Sequence, residues 1–360
     1  MGGNHEASNH LWELHLGGWV APNIYYLGAA GAVRFGGLRI AGLSGIFKSG
    51  HFGMGHFERP PYTDSTMRSA YHVRATDVNR LLRLEGPTDV FLSHDWPAGV
   101  ARHGDAPALF RKKPFLRREV EDGSLGSPPA AQVLAALRPA YWFAAHLHTK
   151  FAALVPHPGA APTRFLSLDK CLPGRSFLQV VDFPEAQGPR QVEYDAEWLA
   201  VLRATHGLTC LRQRAPPPPP PQPPTEAEVE AVRRLLAARG GPAVPPNFVQ
   251  TAPPHDAAGG AHQRGRMPRG GARNPQTVAL LEMLGLPYNL DPQGEAAAAS
   301  GAGRGTAGPA EPNPEEIDIG DDEPMDAEDA VNPEEIDLDG SEGEPDAVDP
   351  ALAAILAGAS

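Results

Sequence analysis

The chain has 360 residues, and its 40 prolines gather in the second half, while residues 311–349 contain 18 acidic residues and no basic one. Outside that stretch, 31 Lys and Arg face 25 of the 43 Asp and Glu, a net charge of +6 that permits an anionic partner such as nucleic acid. Two cysteines and the lack of an apolar run of about 20 residues exclude a disulfide framework and a membrane span, and predict a soluble, intracellular protein.

Short apolar runs alternate with helical patterns between residues 23 and 205, which predicts an α/β domain with a sheet covered on both faces. Helices are predicted at residues 76–86, with Thr76 as the N-cap, at 129–138, and from Asp195 to 205. The predicted strands are residues 23–28, 37–47, 89–94, 141–146, 150–155, 164–169 and 177–183.

The sequence becomes rich in proline after residue 214. Residues 216–221 are six consecutive prolines, which must run as polyproline II and form a linker or an insertion. Helices are predicted to resume after Thr225, which forms a capping box with Glu228, and after Asn274, where Gly285 ends the second helix.

Two acidic copies of one short sequence lie in the C-terminal part of the chain. They read NPEEIDI at residues 313–319 and NPEEIDL at residues 332–338. Two short copies are too few for a solenoid, which needs about three repeats to bury a continuous core. Residues 291–360 are therefore predicted to be a disordered acidic tail.

Three clusters place metal-competent side chains beside the ends of predicted strands. They are GGNHE at residues 2–6, FLSH ending at His94, and AHLH with His146 and His148. Neutral imidazole suits Zn, Fe or Mn, and an amide oxygen can ligate a hard cation. Each cluster alone is a weak signal, since a histidine is more often a satisfied core residue, but the three together predict a metal centre.

The set GNHE, a strand-end histidine and AHLH resembles the calcineurin-like metallophosphoesterases. Within that superfamily, LSGIFKSGHF, GHFERPPY, STMRSAYHVR, FLSHDWP, YWFAAHLHTKF and LDKCLP resemble the RNA lariat debranching enzyme family. The resemblance implies a layered metallophosphoesterase-type β-sandwich flanked by helices at residues 1–155. A small helical C-terminal domain with a proline-rich insertion at 215–224 is expected at residues 156–290.

The resemblance implies hydrolysis of the 2′,5′-phosphodiester at the branch point of intron lariat RNA. It assigns the Asn4 amide oxygen, His94, His146 and His148 to a divalent metal centre, with Fe²⁺, Zn²⁺ or Mn²⁺ as the cofactor. His5 matches the family's histidine near the scissile phosphate, where it is expected to protonate the departing hydroxyl.

Residues 44–74 match the family's lariat recognition loop and are called the 44–74 segment below. Basic side chains bind phosphates and aromatic rings stack on unpaired bases, which is how branched RNA is held. On composition alone, these aromatic rings could equally well pack against the domain, and the resemblance favours RNA. The predicted RNA-binding residues are Lys48, Phe52, Phe57, Arg59, Tyr62, Arg68, Tyr71 and Arg74.

The resemblance also implies two metal motifs that the 360 residues do not contain, a CxH and a GD whose aspartate bridges two metals. About 80 residues and the first strands of the family's sheet are expected to be missing before Met1. Three neutral ligands without a carboxylate would hold a divalent ion weakly. The sequence therefore predicts little or no debranching activity for this chain.

Two other functions stay open at this point. The chain could be a metallophosphoesterase that acts on small phosphodiesters or phosphoproteins, or a fragment that binds branched RNA or a partner without catalysis. A nuclear location is implied by the resemblance alone, because the basic clusters at residues 111–113 and 117–118 are too short for a localisation signal.

Overall fold

A computed structural model describes residues 1–252 and 273–290. The helices are α1 Ser8–Glu13, α2 Ser49–Phe52, α3 Asp64–Ser69, α4 Ala75–Leu81, α5 Ala106–Lys112, α6 Leu116–Asp122, α7 Pro128–Leu137, α8 Ala196–Thr205, α9 Glu226–Ala238 and α10 Pro275–Leu284. The strands are β1 Gly18–Ala21, β2 Ile24–Tyr26, β3 Ala30–Phe35, β4 Leu38–Leu43, β5 Val90–Ser93, β6 Tyr141–Ala144, β7 Phe151–His157, β8 Ala160–Ser167 and β9 Glu193–Tyr194.

Seven of these strands form one mixed sheet in the order β7-β8-β6-β5-β4-β3-β9. Four of the five inner strands, β4, β5, β6 and β8, are parallel to one another, whereas β3 and β7 run antiparallel to their neighbours. Phe91 and Trp142, from adjacent strands, are fully buried and stack with ring centroids 4.1 Å apart. The α/β class is confirmed, and because β5 and β6 are parallel neighbours, their carboxyl ends lie side by side at one end of the sheet.

The predicted helix ends are confirmed where the cap is a local side chain. Thr225 and Glu228 form a reciprocal capping box on α9, Asn274 accepts a hydrogen bond from the Gln276 N–H on α10, and Gly285 ends that helix at φ 68°. The prediction of Thr76 as the N-cap is wrong. Helix α4 begins at Ala75, so Arg74 is the N-cap, and its side chain makes no capping hydrogen bond.

One predicted strand is absent from the structure. Residues 177–183 form no strand, and Leu178 and Val180 are exposed there. Among the described residues, the large sheet is flanked by helices and accompanied by the two-stranded β1-β2 sheet, which is consistent with the predicted metallophosphoesterase-type fold. Residue 155 lies inside β7, and the seven-stranded sheet continues from there into β8; the domain bounds stay a prediction.

The helix that lies farthest along the described chain packs against the beginning of that chain. Gln276 on α10 accepts a hydrogen bond from the Trp19 N–H at 2.7 Å and donates one to the Trp19 carbonyl at 2.9 Å. The Thr277 hydroxyl donates to the carbonyl of Glu13 at 2.6 Å. Through α1 and β1, α10 therefore supports the segment that carries Asn4 and His5.

None of the helices in residues 1–252 and 273–290 has the length and apolar character needed to cross a membrane. The predicted acidic tail and its two NPEEID copies lie outside these described residues.

Candidate metal centre

The first residues of the chain are held against the sheet by backbone hydrogen bonds. The Gly2 N–H donates to Ser44 Oγ at 3.1 Å, and the Gly45 N–H donates to the Gly2 carbonyl at 2.9 Å. A Cβ at Gly3 would lie 2.6 Å from the His94 ring, so only glycine lets the backbone pass this closely. Asn4 and His5 follow in a turn, and the His5 side chain is exposed.

His94 follows β5 directly and meets the turn at residue 4. Its Nε2 lies 2.8 Å from the Asn4 Oδ1 atom. Two donor atoms that share one ion at about 2.0–2.2 Å sit roughly 3 Å apart, so this pair has a spacing that fits a common metal.

His146 and His148 follow β6, the strand next to β5. Both have positive φ angles, 64° and 47°, which are unusual for residues with a side chain and mark a tight turn after the strand. The rings of His146 and His94 lie 4.9 Å apart. His148 is half-buried, and its Nδ1 atom has no hydrogen-bond partner. The turn therefore directs two imidazoles toward one end of the sheet.

Two histidines of this site, His94 and His148, are held in the neutral form that a metal requires. Burial lowers the pKa of His94 to about 3, with further lowering by the nearby His146, His5 and His148. Burial also lowers the pKa of His148 to about 4, helped by Lys170 and His146. Because His5 is among the groups that lower the pKa of His94, its side chain lies near His94.

These residues fit a divalent ion in part. The neutral imidazoles, the unpartnered His148 Nδ1 atom and the Asn4 oxygen are suitable donors. Within residues 1–252 and 273–290, however, no group of three or more His, Cys, Asp or Glu side chains is close enough together to hold a metal. The structure thus brings Asn4 and His146 next to His94, and the complete predicted ligand set stays a prediction.

Asp95 is adjacent to His94 but faces away from this cluster. Its Oδ2 atom accepts from the Phe47 N–H at 3.1 Å, and its Oδ1 atom accepts from the Trp96 N–H at 2.8 Å. Burial raises the pKa of Asp95 to about 6. Asp95 therefore fixes the start of the 44–74 segment, a role that the sequence analysis missed although the residue stands next to a predicted ligand.

The 44–74 segment folds beside the metal centre and presents part of its predicted RNA-binding set. Arg68 on α3 is exposed, and Lys48, Phe52, Phe57, Tyr62 and Tyr71 are half-buried. Arg59 is also half-buried, and its Nη2 donates to the Leu211 carbonyl at 3.2 Å. Burial raises the pKa of the Tyr62 hydroxyl to about 12. The exposed and half-buried members can reach a ligand from the solvent side.

Arg74 was predicted to bind RNA, but the structure places it in the interior of the protein. Its side chain is fully buried, and Nη2 pairs with the Glu58 Oε1 atom at 2.6 Å. The same guanidinium donates to the carbonyls of Ser69, Gly55 and His72. Arg74 thus ties the 44–74 segment together and does not face a phosphate on the surface.

Adjacent parallel strands β5 and β6 are followed by histidines, and the N-terminal turn adds Asn4, in a mixed sheet flanked by helices that is consistent with a metallophosphoesterase-type fold. The family described as "lariat debranching enzyme, C-terminal domain" matches residues 160–289. The chain is 46% identical to the lariat debranching enzymes of Arabidopsis thaliana and Danio rerio and 50% identical to that of Homo sapiens.

These alignments take in 81%, 94% and 58% of this chain and 68%, 62% and 40% of the respective relatives. The chain thus spans about two thirds or less of the length of these relatives. It belongs to the lariat debranching enzyme family.

Proposed function

We propose that the chain acts on branched RNA and carries the site for hydrolysis of the 2′,5′-phosphodiester at intron lariat branch points. The observation that supports this most strongly is the 2.8 Å approach of Asn4 Oδ1 to His94 Nε2, with the His146 ring beside them. Relatives that share 39–52% of their aligned residues with this chain are named for lariat debranching.

The Asn4 oxygen, His94, His146 and His148 would hold a divalent metal, Fe²⁺, Zn²⁺ or Mn²⁺. When bound, such an ion supplies positive charge that offsets charge developing on the phosphoryl oxygens. His5 is exposed in the turn beside this cluster, so its imidazole can donate a proton to the departing hydroxyl oxygen. Lys48 and Arg68 would hold flanking phosphates while the aromatic rings of the 44–74 segment stack on unpaired bases.

We further propose that the 360 residues alone bind metal weakly and cleave slowly, because no three His, Cys, Asp or Glu side chains among the described residues lie close enough together to hold a metal. The test compares this chain with the Arabidopsis thaliana relative on a 2′,5′-branched RNA in Mn²⁺, with a linear 3′,5′ RNA as the control. Slow cleavage restricted to branched RNA, lost in His5→Ala, is expected. Cleavage as fast as that of the relative would contradict the proposal of weak metal binding. Equal cleavage of linear RNA would contradict the proposed specificity for branched RNA.

A second candidate is a protein that binds branched RNA without cleaving it, and the absence of a three-residue metal group among the described residues favours it. It predicts that binding of branched RNA survives chelation and the His5→Ala substitution, while no product forms.

We also propose a nuclear location, because intron lariats are made there. A fluorescent fusion that stays out of the nucleus would contradict it.

A further inference from the structure

The proline-rich segment, residues 215–224, is fixed to the domain along one side. The Asn79 side chain on α4 donates to the Pro219 carbonyl at 2.8 Å, and Arg83 Nη1 donates to the Gln222 carbonyl at 3.1 Å. Polyproline II has three residues per turn, so residues 219 and 222 lie on the same side of the helix. The carbonyls of Pro219 and Gln222 therefore point toward the domain, while the side chains of these two residues stay exposed.

Both ends of the segment are anchored as well. Before it, the carbonyls of Cys210 and Arg212 accept hydrogen bonds from the N–H groups of His56 and Gly55. After it, Thr225 caps α9. Successive prolines also restrict φ to near −65° and disfavour helical conformations, so the segment is ordered before any partner arrives.

The remaining sides of the proline segment differ in exposure. Arg214, Pro217, Pro220 and Pro223 recur at every third residue, and all four are exposed. In the adjacent row, Ala215, Pro218 and Pro224 are half-buried, and Pro221 is exposed. The solvent side thus presents an arginine followed by prolines in the spacing RxxPxxP.

We propose that Arg214 and the exposed row of Pro217, Pro220 and Pro223 form a docking site for an SH3-type domain. Such a domain has a groove lined by aromatic rings. The groove would receive two pairs of residues, one that ends in Pro217 and one that ends in Pro220. An acidic side chain at the end of the groove would pair with the Arg214 guanidinium, because Arg214 is exposed and lies outside the half-buried row. Because the segment is already held in the bound conformation, little conformational entropy is lost on binding.

The test measures binding of the 360-residue chain to a recombinant SH3 domain selected for RxxPxxP ligands, by calorimetry. Pro217→Ala with Pro220→Ala, and separately Arg214→Glu, should each weaken binding by about tenfold or more. The matched control is Pro218→Ala with Pro221→Ala, which removes the same number of prolines from the spacer positions and should leave affinity within about threefold. A variant of the SH3 domain that lacks its groove tryptophan should not bind.

Two results would overturn the proposal. One is equal weakening by the two double-proline substitutions, which would show that proline content and not the exposed row decides binding. The other is a lack of binding by the full chain while a peptide of residues 212–224 binds, which would show that attachment to α4 blocks the site. Thermal melting of each variant verifies that the fold is intact. The measurement requires no metal or RNA, so its outcome is independent of the proposed catalytic function.

Discussion

Arg74 and Glu58 form a buried ion pair within the 44–74 segment, and single substitutions can measure its contribution to the free energy of unfolding. We expect Arg74→Met to lower the free energy of unfolding by about 3–5 kcal/mol, because Glu58 would remain buried without its partner. Adding Glu58→Leu should recover much of this loss. Arg68→Ala is the matched control on exposed α3 and should leave stability nearly unchanged while weakening branched-RNA binding. Chemical denaturation that shows equal stabilities for Arg74→Met and Arg68→Ala would contradict the structural role of Arg74.

His15 makes stability depend on pH. It is fully buried, Nδ1 has no hydrogen-bond partner, and burial, together with Arg80 and His56, lowers its pKa to about 3. In the unfolded chain the imidazole takes up a proton near pH 6.5, whereas in the folded chain it stays neutral down to about pH 3. The free energy of unfolding should therefore fall as the pH drops from 6.5 toward 3, by up to about 1.4 kcal/mol per pH unit for this one group.

Denaturation at several pH values checks this expectation. His15→Gln should reduce the slope between pH 6 and pH 4, whatever its effect on the absolute stability, while the same substitution at exposed His103 should leave the slope unchanged. An unaltered slope in His15→Gln would show that this histidine is not held neutral by the fold.

At the scale of elements, α10 supports the N-terminal segment through Gln276. The side chain makes two hydrogen bonds to the backbone of Trp19 on β1. Gln276→Ala is expected to cost about 1–3 kcal/mol, because it leaves the Trp19 N–H and carbonyl without these partners. Glu282→Ala, on the exposed side of the same helix, is the control. If hydrogen exchange at the Trp19 amide were as slow in Gln276→Ala as in the unchanged chain, this contact would not hold β1 in place.

Helix ends could be predicted because their signals are local, as the Asn274 cap and the Gly285 stop of α10 illustrate. Residues 177–183 have an equally apolar sequence, but a strand also needs a neighbour with which to pair. In the described part of the chain, β7 and β9 occupy the edges of the sheet, and residues 177–183 pair with neither. Strand pairing is set by distant residues, so apolar sequence alone could not decide it.

The candidate site was predictable to the extent that its residues follow strands. His94 and His146 end adjacent parallel strands, so their convergence follows from the α/β topology. The buried position of Arg74 did not follow, because a basic residue in a basic and aromatic segment has the same local sequence whether it faces RNA or Glu58. Its burial depends on a carboxylate 16 residues away.

The whole molecule brings Asn4, His94 and His146, which are separated by up to 142 residues in the sequence, to one end of a sheet. The most direct test is a titration of the 360-residue chain with Mn²⁺, in which the electron paramagnetic resonance signal of the free ion reports how much has bound. We expect weak, saturable binding that His94→Ala or His146→Ala abolishes and that the exposed-site control His103→Ala leaves intact. Binding that is unaffected by His94→Ala and His146→Ala would show that these residues do not form the metal centre.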